Sequence, residues 1–460
     1  MLVGTGPDRP AGGSQAGRRG GPGSRPGPAV FMLAAAAALV LGAAACSSGS
    51  PAGSPAPASG TPAPAAGSCA WPTLISAQTY NNVVPDAAAS VWVQPIVVHK
   101  NLRIVISGRY PDARYASFSV YTSGGSSFTS NGAGSSLPDY RIAPDRGSVN
   151  PWQHRAAPGG RFTVTLRADV SPGQVNTLPL PAGTSSGHPG YLMYRVYLPA
   201  GGSFSRVQLP ALTLRQGHAA RTLPACRSHN SPVPAPATAP ASAAALGQPA
   251  GSSPAAAPVP RQLQFFKPAQ PRYGGLLPNA DSAYVLAYLV PPAPSDVVVV
   301  TAKAPASAPG SHPSVWPAPG EDVRYWSMCI GLGAAHLPTV VNKLPGGKTD
   351  YGCRADDATK LDSSGDNAFV IGTESQRAAI DRIPGATFLP FSTSQPTALH
   401  LLLLRNMLVS RQFPHSVQAV AQAGDPAAAA AAMGPYYPRA TICPLSVLAA
   451  KGPQACAHHS

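Results

Sequence analysis

Asp281, Tyr284 and Arg324 are the side chains of this sequence whose types and spacing could do chemistry. They lie in Pro278-Asn279-Ala280-Asp281-Ser282-Ala283-Tyr284 and in Arg324-Tyr325-Trp326-Ser327-Met328. A guanidinium is planar, permanently charged and forked, so it matches a carboxylate with two parallel hydrogen bonds. Strand alternation puts Arg324 on the side of Trp326 and Met328, an apolar face where a cation needs a partner, and Asp281 is the partner expected. With Asn279, Tyr325 and Arg405, these residues would form a ligand-binding pocket at one end of a sheet. Such a pocket suits a carboxylate or sugar acid, or the cleft of an extracellular hydrolase or lyase. The plainer role is structural, because Asn and Asp just before a strand bond their own backbone and shape the turn.

Other candidate motifs lack their context. Gly183-Thr184-Ser185-Ser186-Gly187 fits G-x-S-x-G, yet His188-Pro189-Gly190 leads into a strand, whereas a nucleophile elbow needs a helix. Asp362 to Asn367 lacks the ligand order and distal Glu of a calcium loop and reads as a solvated turn. Asp356 and Asp357 are adjacent, so on a strand they would face opposite sides and could not act as a carboxylate pair. No H-E-x-x-H, phosphate loop or dinucleotide fingerprint occurs, and neither metal nor cofactor is expected.

The elements that must position these residues are strands. With 55 Pro and 46 Gly in 460 residues, long helices are disfavoured. Period-two alternation runs through 101–106, 115–121, 161–166 and 191–198, and strands are also expected at 283–290, 297–301, 323–330 and 367–373. The breaker-free, Leu-rich Thr397 to Gln412 and the following Ser416 to Ala423 suit one or two helices, and Ala427 to Met433 a helix or an Ala-rich loop. The expected fold is mainly β: two tandem related β-sandwich or jelly-roll-like domains, the second with one or two added helices.

The tandem relation rests on landmarks that recur in order. Pro85-Asp86, the apolar run Leu102 to Ser107 and Arg114-Tyr115 follow one another as Pro278-Asn279, Val297 to Thr301 and Arg324-Tyr325 do in the second half, and the spacing from Pro85 to Pro111 matches that from Pro278 to Pro305 within one residue. Asp139-Tyr140 corresponds by spacing to Asp350-Tyr351, Leu178-Pro179 to Leu389-Pro390, and Arg195 to Arg405. In the first half Ala88 stands where the second has Asp281, so Arg114 must find its acid in Asp86 or Asp139.

Residues 1–45 read as a secretory signal, with a polar, Arg-bearing start and an apolar run from Ala29 to Ala45 too short for a comfortable membrane span. Cys46, directly after Ala43-Ala44-Ala45, matches a bacterial lipobox cysteine and is the expected lipidation site. Residues 46–68, nearly all Ser, Pro, Ala, Gly and Thr, form a disordered tether, and 228–260 a Pro/Ala/Ser linker between domains at 69–227 and 261–460. The expected location is the extracellular face of the cytoplasmic membrane, lipid-anchored, with secretion as the alternative. Six further cysteines in an exported chain signal disulfides; pairing within domains gives Cys69–Cys226, with Cys329–Cys353 and Cys443–Cys456 the arrangement expected of the other four. The net charge of +15 comes from scattered basic residues without a basic, aromatic-interleaved stripe, which argues against nucleic acid.

The pattern P-N-x-D-[ST]-x-Y, a β run, an Arg-Tyr-aromatic strand and a later R-x-x-L-V resembles a family of secreted bacterial proteins known as a domain of unknown function. The matching positions are Pro278, Asn279, Asp281, Ser282, Tyr284, Arg324, Tyr325, Arg405, Leu408, Val409 and Val417, within Gly274 to Gln422. The resemblance implies a β-rich fold and export, and brings no catalytic residues with it. The function expected is a non-catalytic module that binds a cell-envelope glycan or a partner protein.

Overall fold

The computed structural model describes residues 68–232, 262–269, 277–334 and 336–458. The leader, Cys46, nearly all of the tether and most of the linker lie outside the described residues. The fold is mainly β, with sandwiches of paired sheets and a few short helices.

The first repeat contributes β1 (Ala89–Ile96), β2 (Leu102–Arg109), β3 (Ala113–Tyr121), β4 (Ser136–Pro138), β5 (Arg161–Arg167), β6 (Thr177–Pro179), β7 (Gly190–Pro199) and β8 (Ala211–Gln216). The second contributes β9 (Ser282–Leu289), β10 (Asp296–Lys303), β11 (Val323–Leu332), β12 (Cys353–Ala355), β13 (Asp366–Gly372), β14 (Ala386–Pro390), β15 (His400–Val409) and β16 (Arg439–Pro444). One sheet runs β1-β7-β3-β4 and its counterpart β9-β15-β11-β12; the other runs β8-β2-β5-β6 and its counterpart β16-β10-β13-β14. Both repeats even share one parallel pair, β5 with β6 and β13 with β14. Strand order, direction and sequence landmarks therefore repeat together.

Each repeat buries its own core between its sheets. Trp92, Phe118, Tyr194 and Val196 meet Ile104, Ile106, Val164 and Leu212 in the first; Val285, Trp326, Met328 and Leu402 meet Val298, Val300, Phe369 and Ile371 in the second. β2 alternates buried and exposed positions because its outer face is wet, whereas Val297–Val300 are all buried. There the outer face is covered by Ile380 of α1 (Arg377–Ile380) and Leu448 of α3 (Leu445–Lys451). Three disulfides join Cys69 to Cys226, Cys329 to Cys353 and Cys443 to Cys456.

Two secondary-structure expectations change. The Leu-rich stretch from Thr397 is not a helix; it contains strand β15, and 416–423 holds only a short 3-10 turn, Val417–Ala419. The reason is burial on both faces: Leu402 and Leu404 enter the sandwich core, while Leu401 and Leu403 face the first repeat, so no period-two signal remains to mark a strand. Of the two alternatives for Ala427 to Met433 the helix is present, as α2 (Pro426–Met433) capped by Asp425, and α3 follows it.

Candidate functional site

The repeats pack through the outer faces of β1-β7-β3 and β9-β15-β11. Alternation decides which side chains meet there: Phe118 and Trp326 go to their cores, and Tyr115, Tyr197 and Tyr325 go to the interface with Met407. Tyr197 makes edge contacts with both Tyr115 (5.5 Å) and Tyr325 (5.3 Å). Buried Arg, Asp, Ser and Tyr side chains lie in this contact among its aliphatic residues, so their hydrogen bonds must be met inside the protein.

The ion pairs cross between repeats in a reciprocal pattern. Arg324 Nη1 of the second repeat donates to Asp139 Oδ1 of the first (2.6 Å), and Arg114 Nη1 of the first donates to Asp356 Oδ1 of the second (2.5 Å). All four side chains are essentially buried. The register explains the match, because Ser117 pairs with Pro138 and Ser327 with Ala355, which makes Asp139 and Asp356 equivalent. This corrects three expectations. Arg324 is not paired with Asp281, Arg114 is paired with neither Asp86 nor Asp139, and Asp356-Asp357, not Asp350-Tyr351, is the counterpart of Asp139-Tyr140. Each Arg looked for its acid within one repeat in the sequence, but the acid on its own chain neighbourhood is turned toward the other repeat. Burial pushes Asp139 up to about 6 although Arg324 opposes it, and pushes Asp356 upward against Arg114.

A second set of equivalent residues surrounds the middle of the contact. Asp86 Oδ2 accepts from Tyr325 Oη (2.8 Å), Ser327 Oγ (2.7 Å) and Arg405 Nη1. Asn279 occupies the equivalent place in the second repeat: Asp86 Oδ1 accepts the Ala88 N–H, and Asn279 Oδ1 accepts the Asp281 N–H. The turn-shaping role is therefore present for both. Tyr115 Oη donates to Asp281 Oδ2 (2.7 Å), and burial pushes the Asp281 carboxyl upward while that bond holds it down.

Between these sets lies a cleft of about 160 Å³, bordered by Asp86, Arg195, Tyr197, Asn279, Tyr284 and Arg405, with apolar walls that include Val91, Met193, Leu286 and Leu403. Two arms close its ends. Val83 and Val84 donate their N–H groups to His336 O and Leu337 O of the second repeat (both 2.7 Å), while Leu277 N–H reaches Gly125 O (3.2 Å) and Tyr121 Oη reaches Pro278 O (2.8 Å). Val83 (φ 61°) and Val84 (φ 46°) sit in the left-handed region, which β-branched residues rarely adopt and which concentrates at ligand clamps.

Of the residues singled out in the sequence, Asn279, Tyr284 and Arg405 border the cleft, with Arg405 stacked over the Tyr284 ring. Tyr325 stands behind it on Asp86, Asp281 is held by Tyr115, and Arg324 lies apart against Trp316 and Tyr140. They do not converge in one pocket. Asp86 and Arg195 were missed as site residues, although the repeat spacing already aligned them with Asn279 and Arg405. Asp86, Cys329 and Cys353 are close enough to hold a metal, but both sulfurs are spent in a disulfide, leaving no thiolate.

No family model and no curated protein matches the chain. Among solved structures it is similar to an uncharacterised protein from Burkholderia cenocepacia, at 12% identity and a TM-score of 0.44, over 84% of each chain.

Proposed function

We propose that the chain is an exported, lipid-anchored, non-catalytic binding protein whose ligand enters the cleft between its two repeats. One observation carries this reading: polar groups and apolar walls converge on a cleft of about 160 Å³ at the repeat contact. Such sites, mostly apolar with a few placed polar groups, favour boundaries between domains. A cavity of about 150 Å³ holds a molecule the size of benzene, so the cleft admits a small ligand or the end group of an envelope polymer rather than a length of glycan. Export is supported by Cys46 after its small-residue run and by the three disulfides, which persist in oxidising compartments. Binding is favoured over hydrolysis because Asp86, the carboxylate bordering the cleft, is committed to three side-chain donors and the Ala88 N–H, and Asp281 is tied to Tyr115 outside it.

The test is a thermal-shift screen of the chain from residue 46 (Cys46→Ser) against one-ring and short-chain compounds, charged and neutral. Val91→Trp, which fills the cleft from a partly exposed wall position, is the control. Stabilisation of the wild type that Val91→Trp removes is expected. Compounds that stabilise both proteins equally, or none that stabilises either, would overturn the reading.

A further inference from the structure

The two halves of the contact differ at Asp86 against Asn279, Ala88 against Asp281 and Val91 against Tyr284, and the first of these differences leaves Arg195 without an ion pair. Arg405 lies beside Asp86, whose carboxylate also receives Tyr325 and Ser327. The counterparts of these four residues are Arg195, Asn279, Tyr115 and Ser117. Asn279 is neutral and bonds Tyr115 Oη, so the place that Asp86 fills beside Arg405 holds no charge in the half of Arg195. Arg195 is 4% exposed; its Nη2 reaches the Leu277 carbonyl (3.0 Å) and the Met193 sulfur (3.4 Å), and its ring contact is Tyr121. Its Nη1 has no hydrogen-bond partner among the described residues, nor does the buried Ser117 Oγ. No carboxylate among the described residues lies within ion-pair distance of Arg195; the Asp281 carboxylate, held by Tyr115, attracts it only from farther away. A buried guanidinium left unpaired is costly, and an anion that reaches it from an apolar cleft gains a charge-assisted, forked contact.

We infer that the cleft selects a small carboxylate-bearing ligand, its anion on Arg195 and its apolar body along Val91, Met193 and Leu286. This rests on the cleft being a binding site. The ligand carboxylate supplies in one half what Asp86 supplies in the other, and the apolar walls exclude a bare inorganic anion as the preferred occupant.

The experiment compares matched pairs by calorimetry: acetate with acetamide, butyrate with butyramide, benzoate with benzamide, and inorganic phosphate alone. In the wild type at least one carboxylate is expected to bind roughly tenfold or more tighter than its amide, the difference a hydrogen bond to a charged group makes. Asn279→Asp with Asp281→Ala copies the Asp86 and Ala88 half residue by residue, supplies the internal carboxylate, and is expected to erase that preference while remaining folded. Arg195→Met should erase it too. Equal binding of acid and amide, phosphate binding tighter than every carboxylate, a preference surviving in the Asn279→Asp, Asp281→Ala protein, or no binding of any pair would overturn the inference. If acid and amide bind equally and Val91→Trp abolishes both, the cleft still binds ligands and only the choice of a carboxylate fails.

Discussion

Replacing Asp139 by Asn removes one negative charge from the contact between the repeats with almost no change of shape. The side chains of Asp139 and Arg324 are 1% and 0% exposed, and their atoms are 2.6 Å apart. Arg324 Nε and Nη2 already lack hydrogen-bond partners, so its guanidinium would be left between the rings of Trp316 and Tyr140 with no anion in ion-pair contact. Breaking a buried pair in this way costs about 3–5 kcal/mol, against about 0–1 kcal/mol for an exposed pair. Desolvating both charges offsets much of their attraction, and burial accordingly pushes Asp139 upward, so the intact pair is worth less than its rupture costs. Arg324→Met in the Asp139→Asn background should therefore recover at least about 2 kcal/mol, a coupling expected of residues in contact or in one ion-pair network and not of distant, independent ones. Urea unfolding at pH 7.5, followed by tryptophan fluorescence, gives both numbers, since Trp152 and Trp316 lie beside the crossing pairs. A loss below 1 kcal/mol for Asp139→Asn, or a double variant as unstable as the sum of the singles, would refute the claim that this pair fastens one repeat to the other.

Two further outcomes follow from local geometry. His400 is fully buried; its Nδ1 faces the Ala398 carbonyl (2.8 Å), its Nε2 accepts the Ser392 N–H (3.2 Å), and burial pushes it down to about 4. Its contribution is fully present above the unfolded pKa near 6.5 and is lost as pH falls toward 4, a loss of about 3 kcal/mol; urea midpoints at pH 7.5 and 4.5 should differ less for His400→Gln, and an equal difference would exclude this residue. The Cys69–Cys226 bond spans 157 residues, for which loop closure predicts about 5 kcal/mol. The Cys69→Ala, Cys226→Ala protein should lose about 3–5 kcal/mol in urea unfolding, and an unchanged midpoint would show that packing alone closes the first repeat.

How far the sequence reaches can be followed through particular residues. Alternation in Tyr115 to Tyr121 announced a strand because one face takes Phe118 and Val120 to the core while the other keeps Ser and Tyr. The same reasoning failed at Leu401 to Leu404, where both faces are buried and the apolar run carries no period. Repeat spacing placed Arg195 opposite Arg405, but not that the two would flank one cleft.

By itself, then, the sequence determined the β-rich, duplicated architecture and the residues that shape each turn, because these follow from neighbours along the chain: side-chain period, breaker composition and local Asn or Asp bonds. Only the tertiary structure decided the partners. Asp139 belongs to Arg324 and Asp356 to Arg114 because the repeats exchange contacts across more than 180 residues, and charge attraction depends on distance in space, not along the chain. The isolation of Arg195 has the same origin: it becomes visible only when its position is laid over Arg405, where Asp86 fills the place that Asn279 leaves neutral.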